Sequence, residues 1–314
     1  MTDATAEIRA ALAAMGLASA DCDYAMTPLG GGVSCDVFAV DLPDRRIVVK
    51  RALPKLRVAA DWRAPPERSE AEVAWFKLVA DIDPRWVPKV LAEDRASHVF
   101  AMEFYPLPVW KLELAVGEID PDFAAKVGRA LARIHAVPAE GFDNFAQFRA
   151  LRIEPYLLYT ADRHPDVAAR IRAIANSVAG ARLAVMHGDI SPKNILVGPE
   201  EPMFLDAETA CVGDPAFDLA FCLNHLLLKS VWHPGHAEAL GRSFAALKDG
   251  YAPDTAMERR TAALLAALLL ARVDGKSPVE YLTDERQKEF LRTRAKSLLK
   301  DTPPLDHFAS AISR

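Results

Sequence analysis

Short alternating apolar runs dominate the first third of the chain, and apolar spacing of three to four dominates the rest. A helix is predicted over 3–18, with Ile8, Leu12 and Met15 on one stripe and Gly16 as its stop. The pattern then turns extended. Residues 37–40 follow a glycine run at 30–32, residues 47–50 form a strand ending in Lys50, and further strands are predicted at 86–91 and 99–103. One helix interrupts them from Glu67 onward, with Val73, Phe76 and Val79 as its stripe and Glu70 and Glu72 also on it. The expectation is an antiparallel sheet of about five strands with one helix, ended by a proline-containing linker at 105–108.

Beyond that linker the helical period takes over. Asp120 is a predicted cap, Pro121 opens the first turn, and Phe123, Val127, Leu131 and Ile134 form the stripe; His135 at its end reads as packed or capping. Loops and helices fill 138–181. Three short apolar strands then surround polar residues. Leu183 and Val185 lead to His187-Gly188-Asp189, residues 195–197 follow Asn194, and residues 203–205 end on Asp206, so one sheet edge would hold all three polar side chains. Helices are predicted through 228 and over 236–249, 255–273 and 284–300. The longest apolar run, 262–271, is about half of a membrane span and is flanked by Arg259, Arg260 and Arg272, which makes it a core helix.

Composition narrows the function classes. With 314 residues, 51% of them hydrophobic, the chain can bury a large core. A net charge of −5 without a block of like charge argues against a nucleic-acid surface and for a small-molecule site. Cys22, Cys35, Cys211 and Cys222 show neither metal-site spacing nor a disulfide framework, and no signal peptide is visible. A soluble, cytoplasmic protein with no membrane association and no evident protein partner is expected.

The polar residues of the second half carry the chemistry. Asp189 and Asn194 are five positions apart, the spacing at which a phosphoryl-transfer loop places its base and one metal ligand; Asp206 would be the second ligand. Each alone reads as a turn residue, but their order and spacing together point to a kinase site. Upstream, the backbone of Gly30, Gly31, Gly32 and Ser34 would cover phosphates, Lys50 would reach the α- and β-phosphates, and Glu72 would pair with it. An adenine would hydrogen-bond backbone near Glu103 and Tyr105. Mg²⁺, a hard cation, wants the oxygens of Asn194 and Asp206.

In this order, His187-Gly188-Asp189 with Asn194, Leu205-Asp206-Ala207-Glu208 and Gly213-Asp214-Pro215 with Asp218 resemble the signature of the aminoglycoside phosphotransferase and choline kinase superfamily. The resemblance spans about residues 24–225. It implies an α+β, protein-kinase-like two-lobed fold: a small antiparallel-sheet lobe at 1–104, a hinge at 105–108 and a mainly helical lobe at 109–314. It also implies ATP, or GTP, as donor and a small-molecule hydroxyl as acceptor. Asp218 would brace the catalytic loop; Glu208 would sit in the outer metal shell or be solvated. Residues 49–58, with Arg68 and Glu72, are similar to the matching stretch of 5-methylthioribose kinases, whereas Asn194 follows the antibiotic kinases.

Only 11 residues separate Asp206 from Asp218, too few for a protein kinase's activation segment. A sugar-like metabolite is the favoured acceptor. The alternatives are an aminoglycoside or other antibiotic kinase, a choline- or ethanolamine-type kinase, and, in a different class, a nucleotide-binding pseudokinase. Trp232, Tyr251 and Tyr281 look too scattered for an aromatic cage, and the turn with Arg272 and Lys276 leans toward a neutral or anionic acceptor.

Overall fold

The computed structural model describes residues 3–19, 22–30, 34–57, 63–138 and 142–312. Helix α1 (Asp3–Ala14) is followed by Gly16 at a left-handed φ of 69°. The sheet comprises β1 (Ala25–Pro28), β2 (Cys35–Asp41), β3 (Arg46–Ala52), β4 (Val90–Asp94) and β5 (Val99–Glu103), all antiparallel, in the order β1-β2-β3-β5-β4. The two-residue period of a strand sorts its faces. Ile47, Val49, Val99 and Ala101 pack under Ile8 and Leu12 of α1. Val48, Phe100 and Met102 face the main core with Val73, Phe76 and Val79 of helix α2 (Arg68–Ile82). Lys50 shares the face of Val48, so strand geometry alone turns its ammonium toward α2.

The expected strand at 86–91 begins later. Asp83 accepts the Arg85 N–H at 3.1 Å, and Pro84 opens a single 3-10 turn over Pro84–Trp86. Pro88 has no N–H to give a ladder, so pairing starts at Val90. Trp86 is buried and donates its indole N–H to Glu201 at 3.0 Å, across to the C-terminal half.

That half is mainly helical: α3 (Trp110–Val116), α4 (Pro121–His135), and α5 (Phe145–Phe148) running into a π-helix (Arg149–Leu158), then α6 (Tyr159–Arg163) and α7 (Ala168–Gly180). Four short strands follow, β6 (Ala184–Met186), β7 (Ile195–Val197), β8 (Pro202–Phe204) and β9 (Cys211–Gly213). The chain closes with α8 (Ala216–Trp232), α9 (Ala237–Tyr251), α10 (Thr255–Asp274), α11 (Glu285–Lys300) and α12 (Phe308–Ile312). Asp120, Asp254 and Asp284 cap α4, α10 and α11 by accepting N–H groups at 2.7–2.8 Å. α8 runs through the centre and buries nearly all its side chains, and the apolar run of α10 is buried almost throughout. No described helix is long and apolar enough to cross a membrane. α4 and α9 cross closely: a Cβ on Gly128 would lie 2.1 Å from the Leu247 carbonyl.

The short strands form two ribbons, β6 with β9 and β7 with β8, not the single sheet edge expected. β6 ends at Met186, Gly188 at a left-handed φ of 82° turns the chain away, and a 3-10 turn over Pro192–Asn194 leads into β7. The polar residues therefore lie in the loops joining the two ribbons.

Candidate active site

The loop after β6 is fixed through its backbone. Asp218, on the first turn of α8, accepts the N–H groups of His187 and Gly188 at 2.7 and 2.8 Å. Its carboxylate also lies 3.2 Å from His135 Nε2, whose Nδ1 is 2.9 Å from the Tyr251 hydroxyl. His135 is thus a packed, hydrogen-bonded histidine behind the loop. His187 accepts the Asp189 N–H on Nδ1 at 3.1 Å and donates Nε2–H to the Leu205 carbonyl at 2.9 Å. Burial holds its imidazole below the ordinary range against the pull of Asp218 and Asp189, so the neutral ring acts as a spacer between the two loops.

Gly188 has φ +82°, and a Cβ there would lie 2.6 Å from Thr209 Oγ1 and 2.8 Å from the Thr209 carbonyl. Gly188→Ala is expected to destabilise the protein by about 2–4 kcal/mol, combining left-handed strain with overpacking. Chemical denaturation reads this, and an unchanged midpoint would contradict it.

Asp189 is 2% exposed. One oxygen, Oδ2, accepts Asn194 Nδ2–H at 2.8 Å and lies 3.0 Å from Lys193 Nζ and 3.1 Å from Arg152 Nη2. Burial alone would raise this carboxyl; the charges of Arg152 and Lys193 outweigh it and hold the group below its ordinary range. Arg152 also donates from Nε to the Gly188 carbonyl at 2.8 Å. The Asn194 amide nitrogen is spent on Asp189, so its carbonyl oxygen is the end left for a cation.

Across the cleft, Lys50 Nζ donates to both Glu72 oxygens at 2.8 and 2.7 Å and to Asp206 Oδ1 at 2.5 Å. Burial opposes the charge on Lys50, but Asp206 and Glu72 prevail and hold the ammonium well above its ordinary range. Burial likewise opposes the Asp206 carboxylate, which Lys50 and Lys193 keep ionised far below the ordinary range. Asp206 takes a left-handed φ of 66°, rare outside glycine and costing on the order of 1 kcal/mol. Glu70 instead pairs with Arg95 at 3.3 Å on the surface.

Gly30, Ser34, Lys50, Glu72, Asn194 and Asp206 line one cleft of roughly 340 Å³ with Val37, Met102 and Leu205 as apolar walls. Gly31 and Gly32 lie outside the described residues. The side chains of Glu103 and Tyr105 do not line this cleft: Tyr105 donates its hydroxyl to Glu103 at 2.9 Å, and the neighbouring Met102 is the one that faces in.

Glu208 is buried, not solvated. It accepts Arg68 Nε–H at 2.8 Å, with the Cys35 thiol 3.7 Å away. Arg68 is itself 1% exposed and donates to the carbonyls of Ser34, Leu53, Ala64 and Pro65 at 2.5–3.1 Å. One guanidinium therefore ties the base of the glycine loop and the start of α2 to the segment after Asp206.

The sequence profile of the phosphotransferase enzyme family matches residues 25–258. The chain belongs to this family. A methylthioribose kinase of Pectobacterium carotovorum is 27% identical over 223 residues, 60% of this phosphotransferase-family chain and 56% of the relative. The chain thus spans a little over half the length of the curated relatives it matches. Among solved structures, a choline/ethanolamine kinase family protein from Mesorhizobium loti aligns with TM-score 0.60 and 19% identity, covering 98% and 99% of the two chains. An amicoumacin kinase solved with AMP-PNP and Ca²⁺ aligns with TM-score 0.57 and 14% identity over 89% of each chain. These likenesses establish the kinase-like fold: an antiparallel sheet followed by a helical region.

Sequence reading gave three side chains of this phosphotransferase-family site none of the contacts they make. Arg152 stands between Arg149 and Glu154 in a stretch with no motif, and nothing in one sequence says that a π-helix will aim it at residue 189. Arg68 was visible only as part of a similar stretch, without a partner. Lys193 stood inside the motif, one helical turn's spacing from Asp189, and that spacing was the available clue.

Proposed function

We propose that this protein is a small-molecule kinase that moves the γ-phosphoryl group of ATP, with GTP as the alternative donor, to a hydroxyl of a small, sugar-like metabolite. The observation that carries this reading is the meeting of Lys50, Asp206 and Asn194, from three separate segments, around one cleft, with Asp189 hydrogen-bonded to Asn194 at 2.8 Å beside it. The reading divides the chain into a nucleotide lobe at 1–104, a hinge at 105–108 and an acceptor lobe at 109–314. It needs no nucleic acid, membrane or protein partner and implies a cytoplasmic enzyme.

Among the described residues there is no cluster of three or more His, Cys, Asp or Glu that would cage a metal. The donors present, the Asp206 carboxylate and the Asn194 carbonyl, fit a Mg²⁺ ion that completes its shell with phosphate and water oxygens. When bound, the ion supplies charge neutralisation for the phosphates. Lys50, steadied by Glu72, holds donor phosphate oxygens, and the glycine loop with Ser34 covers them. Asp189 orients the acceptor hydroxyl and takes its proton. The hydroxyl oxygen bonds to the γ-phosphorus, the bond from that phosphorus to the bridging oxygen breaks, and ADP leaves. Lys193, beside Asp189, faces the charge spread over the transferring group.

Asp206→Ala is expected to weaken Mg·ATP binding by about 10- to 100-fold, the loss of one metal-ligand carboxylate with Lys50 still paired to Glu72. Titration calorimetry reads this directly, and an unchanged affinity would remove Asp206 from the metal site.

A further inference from the structure

The region behind Asp189 holds more positive charge than phosphoryl transfer uses. α8 carries His225 and Lys229 one turn apart on one face. Lys229 is 1% exposed, and its ammonium has no hydrogen-bond or carboxylate partner among the described residues. Trp232 and Tyr281 flank it, their ring centres 5.1 and 5.0 Å from Nζ. The structure thus pairs two aromatics that are far apart in sequence, 4.8 Å between centroids, while Tyr251 goes to His135. The Tyr281 hydroxyl, His225 Nε2 and Arg272 Nε are likewise buried without hydrogen-bond partners among the described residues. Arg272 spends Nη1 on the Tyr156 hydroxyl at 3.2 Å and on Ser277.

The carboxylates nearby are already engaged. Asp189 is shared by Arg152 and Lys193, and Glu280 takes Lys111. Burial and the charges of Arg272, Lys193, Lys229 and Lys111 hold the His225 imidazole well below its ordinary range. Burial and Lys111 bring Lys229 down to about 8 against the pull of Glu280. His225 therefore feels both Lys229 and Lys193, and Lys193 lines the cleft and touches Asp189. A buried ammonium without an acceptor is costly, and an anion would convert that cost into charge-assisted hydrogen bonds.

We propose that the acceptor is a hydroxylated small anion, its carboxylate or phosphate seated on Lys229 beside Arg272 Nε, His225 Nε2 and the Tyr281 hydroxyl, with its free hydroxyl at Asp189. The proposal rests on the kinase reading and specifies its substrate class. A quaternary amine or a polyamine meets repulsion here, and the aromatic pair that would cage such a cation is already filled by Lys229.

The test measures ADP release by the full chain with Mg·ATP over acceptors of matched size: pentoses, pentonic acids, pentose phosphates, choline and an aminoglycoside. The acids or the phosphates should be used with a KM at least about tenfold below that of the neutral sugar, and which of the two wins identifies the anion. Lys229→Met should raise that KM about 100-fold, the scale for losing one buried charged contact, with a much smaller change in kcat. Lys229→Arg should stay within about tenfold of wild type, because it keeps the charge. Removing an unpaired buried charge does not destabilise, so Lys229→Met should melt at or above the wild-type temperature. A clearly lower melting temperature would mark Lys229 as structural and overturn the proposal. Preference for neutral or cationic acceptors, or an unchanged KM in Lys229→Met, would overturn it and leave the kinase reading standing. ADP release from none of the acceptors would count against the kinase reading instead. In that case calorimetry with the same acids and phosphates decides the anion site: binding lost in Lys229→Met supports it, and equal or absent binding overturns it.

Discussion

Asp189→Asn is expected to lower kcat by at least about 10³-fold while Mg·ATP affinity stays within a few-fold of wild type. The amide keeps the shape of the side chain but cannot take the hydroxyl proton, and it brings an N–H toward a site that already holds three donors. Asn194, Lys193 and Arg152 all converge on one oxygen of Asp189. Arg152, buried among them, would lose its only carboxylate among the described ion pairs, so a lower melting temperature is expected alongside the lost turnover. The pH profile gives an independent reading. Arg152 and Lys193 hold the folded carboxyl below 3.8, its unperturbed value. It therefore stays ionised until pH falls through that depressed folded value, and its stabilising contribution, complete above the unfolded pKa, is lost only on that descent. From pH 5 to 8 the turnover of the wild type should show no inflection from Asp189. Turnover by Asp189→Asn near the wild-type rate, or an acid limb near pH 6 that disappears in the variant, would refute this account of the group.

The sequence was most informative where local geometry alone sets position. A two-residue strand period put Lys50 on the face of Val48, and a helical stripe of Val73, Phe76 and Val79 put Glu72 inward and Glu70 outward. Asp120 at a cap and Gly16 at a stop worked for the same reason, because each acts within one turn of itself. Sequence reading failed where partners are remote. Glu208 reads as either an outer-shell metal residue or a solvated one until Arg68, 140 positions away, is seen to pair with it. Trp232 and Tyr281 read as scattered until α8 and the turn after α10 fold together around Lys229. The two ribbons in place of one sheet edge belong to the same class, since Gly188 turns the chain locally after β6 but does not say where the next strand finds its partner. The Lys50–Glu72–Asp206 cluster is built from motif residues, and its members could be picked out in the sequence. The cluster around Lys229 is built from long-range packing and could not.

Arg68→Met should cost about 3–5 kcal/mol, the range for stripping the partner from a buried charge. For a chain of this size that corresponds to a melting-temperature drop of about 5–8 °C. Methionine fills a similar volume, so the loss is electrostatic more than steric. Among the described residues it leaves the Glu208 carboxylate with only the Cys35 thiol at 3.7 Å, and it removes the guanidinium's bonds to the carbonyls of Ser34, Leu53, Ala64 and Pro65. The double variant Arg68→Met/Glu208→Gln removes the orphaned charge and should recover a substantial part of the loss, a coupling that a double-mutant cycle measures. Strict additivity of the two single changes would show that the pair does not act as a unit. Because the same guanidinium holds Ser34 and Leu53, Arg68→Met should also raise the KM for the nucleotide about tenfold, through a looser glycine loop. A variant that loses stability but keeps its nucleotide KM would confine Arg68 to holding the fold, whereas loss of both would place it between the fold and the donor site.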